Sequence, residues 1–511
     1  MPPLVLLLFL LLPLAGILTL TLWPASGSRG LRSVAAVATA LQFLLGLLCW
    51  RLPPPELQLQ WLPRLGLVLD LGLDGLSLPL VLLSSLLSLL AILSPVAELP
   101  RQRLFQALLL ATNLGVCGAF LARNALLFVL CFELLLIPTT LLVAIWGGPR
   151  RAGAAIRFLV FGAISGLSLL AAVLAMGWLN GEQFDYQSLA QASLSGPAQF
   201  WILGLLLLGF GIKMPLLPVH GWQPWTYAES PSPVVMLIGG AVSKLGAYGL
   251  LRFGLGFLPD AWAVWSPWIA VLGAATAIYG ALNAIAQEEI RRLMAYSSLG
   301  HMGLLVLAIA AATPLSLQGA VAQMLAHGLI VALLFACVGL IERRTGTSQI
   351  DQLSGLMNPL RGLPFTMGML LLALMAAAGI PGLAGFPAEL LVFEGSWTAF
   401  PIPTLLSLVA SGLTAVYAIR LFNRVGFGRL DNARADWQGT SWTERYPAVV
   451  LALLIIAFGI WPTGLVGWSG VTTASLALRP GADLTQLALL EPSPVELALA
   501  PAASTVPPSL G

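Results

Sequence analysis

Runs of about twenty apolar residues recur from one end of this 511-residue chain to the other. A helix of that length crosses the hydrocarbon of a bilayer, where the backbone must satisfy its own hydrogen bonds. The pattern therefore points to an all-α polytopic membrane protein. Fourteen candidate spans are legible: 3–23, 31–50, 74–95, 104–122, 124–146, 154–179, 199–219, 232–255, 262–285, 293–312, 315–341, 363–394, 403–425 and 446–468. With 58% of residues hydrophobic and 9% charged, the composition is unlike that of a soluble domain of this length. Met1 to Trp23 has no basic n-region and no clear cleavage site, so it reads as a first span rather than a removable signal. A Pro-rich tail, 469–511, offers no further span.

The cations are unevenly distributed. Of 24 lysines and arginines, only Lys213 and Lys244 are lysines, and both lie inside apolar runs. Almost every arginine lies in or beside a polar connection. Alternate connections hold Arg29 and Arg32, Arg101 and Arg103, Arg150 and Arg151, Arg291 and Arg292, Arg343, Arg344 and Arg361, then Arg424, Arg429, Arg434 and Arg445. The other side holds few: Arg51, Arg64, Arg123, Arg252 and Arg479. The positive-inside rule puts the rich side in the cytoplasm and both termini on the opposite face. The net charge of +3 resides in these loops and implies no nucleic acid partner.

Two spans carry breaks. The seventh holds Pro215 and Pro218 just after Lys213; the twelfth holds Gly379-Ile-Pro-Gly382 and Gly385-Phe-Pro387 just before Glu389. Proline and glycine at membrane depth free backbone groups, and such breaks usually line a polar cavity. The breaks are five helices apart. They suggest an N-terminal three-helix segment (1–103), two inverted five-helix repeats comprising spans 4–8 (104–255) and 9–13 (262–425), and a last helix with its tail (446–511). Inverted repeats with broken helices at the site are a transporter architecture.

Ionisable groups at membrane depth are costly and mark proton or ion pathways. Glu133 has apolar neighbours on both sides; the plainer alternative is a neutral acid bonded to a neighbouring helix. Lys213 stands at a helix break, where it could instead snorkel to the interface. Lys244 is in mid-span, with some twelve residues on either side, and snorkelling is less available. Lysine can release its proton where arginine cannot, which suits a relay. His301 and His327 lie within the tenth and eleventh spans; each alone could be a satisfied hydrogen-bonding group, but in line with two lysines they suggest proton transfer. His220 would close the polar end of the seventh span. Glu389 occupies in the twelfth span the place Lys213 has in the seventh, and Glu394 would lie nearer the surface. Asp74 reads as an N-cap.

The four cysteines are scattered through apolar spans without a CxxC pair, so neither a disulfide framework nor an iron–sulfur site is suggested. The three histidines lack metal-ligand spacing, and no Gly-rich phosphate loop is present. Any redox centres would lie in other subunits.

Seven stretches match the pattern of a known family: Asp-Gly-Leu-Ser-Leu-Pro-Leu-Val-Leu-Leu (74–83), Phe-Glu-Leu-Leu-Leu-Ile-Pro (132–138), Lys-Met-Pro-Leu-Leu-Pro-Val-His-Gly-Trp (213–222), Lys-Leu-Gly-Ala-Tyr-Gly-Leu-Leu-Arg-Phe (244–253), Arg-Arg-Leu-Met-Ala-Tyr-Ser-Ser-Leu-Gly-His-Met-Gly (291–303), Gln-Gly-Ala-Val-Ala-Gln-Met-Leu-Ala-His-Gly (318–328) and Gly-Phe-Pro-Ala-Glu (385–389). They are collinear over about 70–430. Together they resemble the antiporter-like subunit of respiratory complex I, called NuoM in bacteria and NdhD in cyanobacteria and chloroplasts. The resemblance implies 14 helices with two inverted repeats, Glu133 paired with Lys213, Lys244 as central relay, His301 and His327 continuing the axis, and Glu389 as terminal site. It implies a non-redox, proton-translocating membrane-arm subunit beside NuoL/NdhF-like and NuoN/NdhB-like neighbours. Quinone, iron–sulfur clusters and NAD(P)H or ferredoxin would be used by partner subunits. The expected location is a cyanobacterial thylakoid, or alternatively a bacterial inner membrane.

One loop departs from the family pattern. After His220-Gly-Trp the family commonly reads Leu-Pro-Asp-Ala-His, whereas this chain reads Gln-Pro-Trp-Thr-Tyr. The departure resembles cyanobacterial forms used in carbon dioxide uptake, which implies a carbon dioxide-hydrating partner. A Mrp-type cation/proton antiporter subunit and the anchor subunit of a membrane-bound hydrogenase are the alternatives.

Overall fold

A computed structural model describes residues 2–22, 27–50, 55–94, 100–430 and 440–477. Residues 478–511 of the expected tail, with Arg51, Arg434 and Arg479, lie outside the described residues. Helices α1 (Pro2–Leu22), α2 (Ser28–Cys49), α3 (Ser77–Leu93) and α4 (Gln102–Leu121) pack on one another at the N-terminal end.

Between α2 and α3 lies an antiparallel hairpin that the all-α expectation did not include, β1 (Glu56–Leu62) and β2 (Leu67–Gly72). Glu56 pairs with Gly72 and Gln60 with Val68, and the register shifts between Gln60 and Leu62. Its signal is the Leu–Gln alternation of Glu-Leu-Gln-Leu-Gln, period two rather than 3.6. Gly66 turns the chain at φ +65°, and its carbonyl accepts from Asn124 Nδ2 at 3.1 Å. Arg123 joins Glu56 in an ion pair and donates its backbone N–H to the Asp70 carbonyl at 2.9 Å. The hairpin is thereby fixed to the turn after α4. Partial burial of Asp70 raises its carboxyl above the usual range; Arg123 opposes this in part, while Glu56 and Asp185 add to it.

The fifth span divides into α5 (Ala125–Leu134) and α6 (Leu136–Trp146). Pro138 has no N–H for the Leu134 carbonyl, which explains the interruption at Leu135, two residues after Glu133. Then follow α7 (Arg151–Leu179), the short α8 (Tyr186–Gln191), α9 (Gly196–Lys213) and α10 (Trp222–Glu229). The backbone is accounted for where α9 stops. Pro215 offers no N–H to Gly211, so the Leu216 amide donates to that carbonyl at 2.9 Å. The Ile212 carbonyl accepts instead from the Trp222 indole at 2.8 Å. The expected break of the seventh span thus has a defined hydrogen-bond solution.

The eighth span is α11 (Ser232–Leu237), a π-helical turn (Ile238–Val242), α12 (Lys244–Gly249) and a second π segment (Leu250–Leu255). The remainder comprises α13 (Pro259–Ala286), α14 (Ile290–Ala311), α15 (Pro314–Thr345), α16 (Pro364–Ala377), α17 (Gly385–Trp397), α18 (Pro401–Gly426), α19 (Trp442–Ile460), α20 (Thr463–Val466) and α21 (Gly470–Ala477). The twelfth span breaks between α16 and α17, where Gly379 and Gly382 take φ +66° and +88°. Those angles suit glycine and would strain other residues.

Among the described residues, 12 helical segments are long and apolar enough to cross a membrane, and the shorter Ser77–Leu93 and Pro364–Ala377 fill the third and twelfth positions. Their enclosure differs greatly. The Ser232–Leu255 span is 100% buried and those of α14 and α15 are 89% buried, against 28% for α1 and α19. Lys244, His301 and His327 belong to these most enclosed spans.

Candidate functional site

Lys244 begins the α-helical turn between the two π segments and is 0% exposed. The π turn pairs the Ser243 amide with the Ile238 carbonyl at 3.0 Å. The Gly239 carbonyl accepts from Lys244 Nζ at 2.6 Å and from Ser243 Oγ at 2.9 Å. Gly239 sits where a Cβ would come within 2.8 Å of the Tyr227 hydroxyl, so this approach depends on glycine. On its other side Lys244 Nζ is 2.7 Å from His327 Nδ1. Ammonium donates to a bare Nδ1, or a protonated Nδ1 donates to the neutral amine; the geometry serves either proton position.

From His327 the polar line crosses to α14. The His327 and His301 rings are 5.4 Å apart and inclined at 54°. His301 Nδ1 stands 3.4 Å from Glu389 Oε1 on α17, and Glu389 Oε2 accepts from Ser411 Oγ of α18 at 2.6 Å. Gly379, at the break, lies against that same oxygen: a Cβ there would be 2.9 Å from Glu389 Oε2. The broken twelfth span thus seats its carboxylate among α14, α17 and α18. Lys244, His327, His301 and Glu389 form one series, all buried.

The other end is arranged differently. Lys213 closes α9 and is buried, with Nζ 4.4 Å above the Phe132 ring and 6.0 Å from the Phe158 ring. Aromatic faces attract a cation without removing its proton. Glu133 is half-buried and within electrostatic range of Lys213, but no direct ion pair joins the two. Its carboxylate fills the space beside Gly166 of α7, where a Cβ would lie 1.8 Å from Oε1. Two phenylalanines and a glycine therefore shape this end; Phe132 lies in the family stretch 132–138, whereas no sequence motif pointed to Phe158 or Gly166.

Of the remaining candidates, His220 is half-buried in the turn before α10, with its ring 5.0 Å from that of Tyr279. Glu394 is exposed on α17. Asp74 Oδ1 accepts the Leu76 and Ser77 amides at 3.0 and 2.9 Å, capping the entry to α3, and Asp74 also pairs with Arg252. The altered segment, read from the sequence as a loop, is helix α10, where Trp225 takes the guanidinium of Arg157 at 3.8 Å, of Arg292 at 4.9 Å and of Arg150 at 5.5 Å. Tyr227 is fully buried with its ring edge-on to Phe335. Glu229 accepts from the Arg150 backbone N–H at 2.9 Å and from its Nε at 3.0 Å. Among the described residues no cluster of three His, Cys, Asp or Glu side chains could hold a metal.

Comparison with known proteins agrees with this fold. Residues 122–414 match the family described as "NADH:quinone oxidoreductase/Mrp antiporter, TM". The NAD(P)H-quinone oxidoreductase chain 4 1 of Synechococcus sp. (strain JA-3-3Ab) is 36% identical over 96% of this chain and 97% of its own length. The chain 4 2 of Thermosynechococcus vestitus is 35% identical over 91% and 90%. A chain of respiratory complex I from Thermus thermophilus with bound NADH superposes with TM-score 0.85 at 30% identity, covering 92% of this chain and 99% of that one. The Mrp complex from Dietzia sp. DQ12-45-1b shares the fold, with TM-score 0.82 at 23% identity over 93% and 98%. The chain belongs to the NAD(P)H-quinone oxidoreductase chain 4 family, as an integral multi-pass, antiporter-like subunit of a complex I-like NAD(P)H-quinone oxidoreductase.

Proposed function

We propose that this subunit relays protons along Glu133, Lys213, Lys244, His327, His301 and Glu389, driven by quinone reduction in partner subunits. The buried contact series from Lys244 Nζ through His327 and His301 to Glu389 carries the reading. A lysine at the centre of a membrane helix costs about 2.5–3.5 kcal/mol, a burden with no structural return in an apolar core. The cationic member of the series is the one that can give up its proton, and the imidazoles beside it can take one up. In this reading spans 4–8 and 9–13 are two inverted repeats, each with its charged group at a broken helix. One half-channel brings protons from the arginine-rich, cytoplasmic side to Lys244, and the other releases them across the membrane from the Glu389 end.

NuoL/NdhF-like and NuoN/NdhB-like subunits would flank the chain, while partners bearing iron–sulfur clusters take electrons from NAD(P)H or ferredoxin to plastoquinone. The cyanobacterial relatives support a thylakoid location. Trp225 and Tyr227, standing where the family has Asp and His, support a place in the carbon dioxide uptake form. Co-purification with a carbon dioxide-hydrating protein tests that place, and its absence from the intact complex would remove it.

The relay is tested by Lys244→Ala in the assembled complex. Proton translocation coupled to quinone reduction should fall at least about tenfold while the subunits still co-purify. Lys244→Arg should fail equally, because arginine keeps its proton. Normal pumping by either assembled variant would sink the relay.

A further inference from the structure

A cavity of ≈ 10 Å³ lies beside the relay, walled by Ser297, Gly300 and His301 of α14 and by Ser411, Thr414 and Tyr417 of α18, with alanines and a leucine closing the rest. That is room for the centre of one water, and the walls supply the polar partners such a water needs. Ser297 and His301 are four residues apart and share a face of α14; Ser411, Thr414 and Tyr417 repeat every three and share a face of α18. The Tyr417 hydroxyl donates to Ser297 Oγ at 2.7 Å and lies 3.2 Å from Thr414 Oγ1. Ser411 donates to Glu389. His301 is 5% exposed, and neither of its ring nitrogens has a hydrogen-bond partner.

The row has a direction. α14 carries Arg291 and Arg292 in its first turn, so Ser297 lies about 6 Å nearer the arginine-rich face than His301. α18 ends near Arg424, so Tyr417 lies about 9 Å nearer that face than Ser411. Arg420, one turn beyond, is exposed.

The geometry points to a second proton branch, in which one water in this cavity joins the hydroxyls of Tyr417, Ser297, Thr414 and Ser411 to His301 from the arginine-rich face. The inference rests on the relay reading and extends it. The water gives a proton to a free ring nitrogen of His301 and regains one from a hydroxyl. That hydroxyl is replenished from the next, and the outermost from the face. Every group ends with the protons it began with, and one proton has moved onto His301. Tyr417 is the narrow point, because its hydroxyl alone touches both Ser297 and Thr414.

The test uses the assembled membrane complex and two variants. Tyr417→Phe removes one hydroxyl and keeps the ring. Gly300→Ala keeps every hydroxyl and adds a methyl at the cavity wall, where the new Cβ meets no atom nearer than 3.4 Å. Each should lower protons translocated per electron by about tenfold. High-resolution maps should show an ordered water beside His301 that Gly300→Ala displaces. Full pumping by both variants overturns the branch, as does a cavity that is dry in the unaltered complex. If Tyr417→Phe fails to assemble, Gly300→Ala decides. Lys244→Ala run in parallel separates the two claims: if it stops pumping while both cavity variants pump fully, the relay stands and the branch falls. If Lys244→Ala pumps normally, the relay itself has failed.

Discussion

The two broken spans each carry a charged group beside the break but join it to its surroundings in opposite ways. At α9–α10, Lys213 faces two phenylalanine rings, and Glu133 is held apart from it against Gly166. At α16–α17, Glu389 is hydrogen-bonded to Ser411 and stands within 3.4 Å of His301. One end is an open contact and the other a closed one. A pair held apart can be made and broken as side chains move, so it suits a switch. A series already in near contact needs only small side-chain shifts to pass a proton, so it suits a wire.

The largest expected effect comes from cutting the closed end. Glu389→Gln keeps an acceptor for Ser411 but cannot carry a proton, so translocation by the assembled complex should fall roughly a hundredfold. Near-normal translocation would mean that the series is not a wire. The open end should be more forgiving. Gly166→Ala forces the Glu133 carboxylate away, since the new Cβ would occupy its place. A loss of only about two- to fivefold is expected, on the order of 1 kcal/mol. A loss as deep as that of Glu389→Gln would erase the distinction between the two ends.

The smallest effect is expected outside both. Burial raises the Asp70 carboxyl above its ordinary value, so the folded state holds that proton more tightly than the unfolded chain does. Stability therefore declines as pH rises from the ordinary aspartate value through the raised one. Asp70→Asn should remove this decline and raise thermal stability at neutral pH by well under about 1 kcal/mol, with pumping unchanged. A fall in stability would show that the Arg123 attraction outweighs the burial.

The sequence was informative about chemistry that is local to one segment. The spans, the breaks at Pro215 and Gly379, and the intramembrane ionisable groups follow from residue type and spacing. What escaped was set by neighbours or by backbone register. The hairpin is hard to see because its Leu-Gln alternation is short and lies in the gap between two long apolar spans. The row Ser411, Thr414, Tyr417 does have a helical period, but its meaning depends on His301 of another helix. Phe132 and Phe158 are ordinary apolar residues until Lys213 is placed over them. The π turns around Lys244 have no residue signature beyond paired glycines.

Those π turns make chain length itself a functional quantity. Each accommodates residues beyond the α repeat, so removing one residue from 238–242 would let the backbone relax into regular helix. The span would still be apolar, buried and long enough to cross. The extra residue is taken up inside the widened turn, so the segments before and after it would keep nearly the same faces. What the deletion would remove is the turn itself, which pairs the Ile238 carbonyl with the Ser243 amide and brings the Gly239 carbonyl to Lys244 Nζ. The span would still cross and pack, while the central lysine would lose its backbone acceptor.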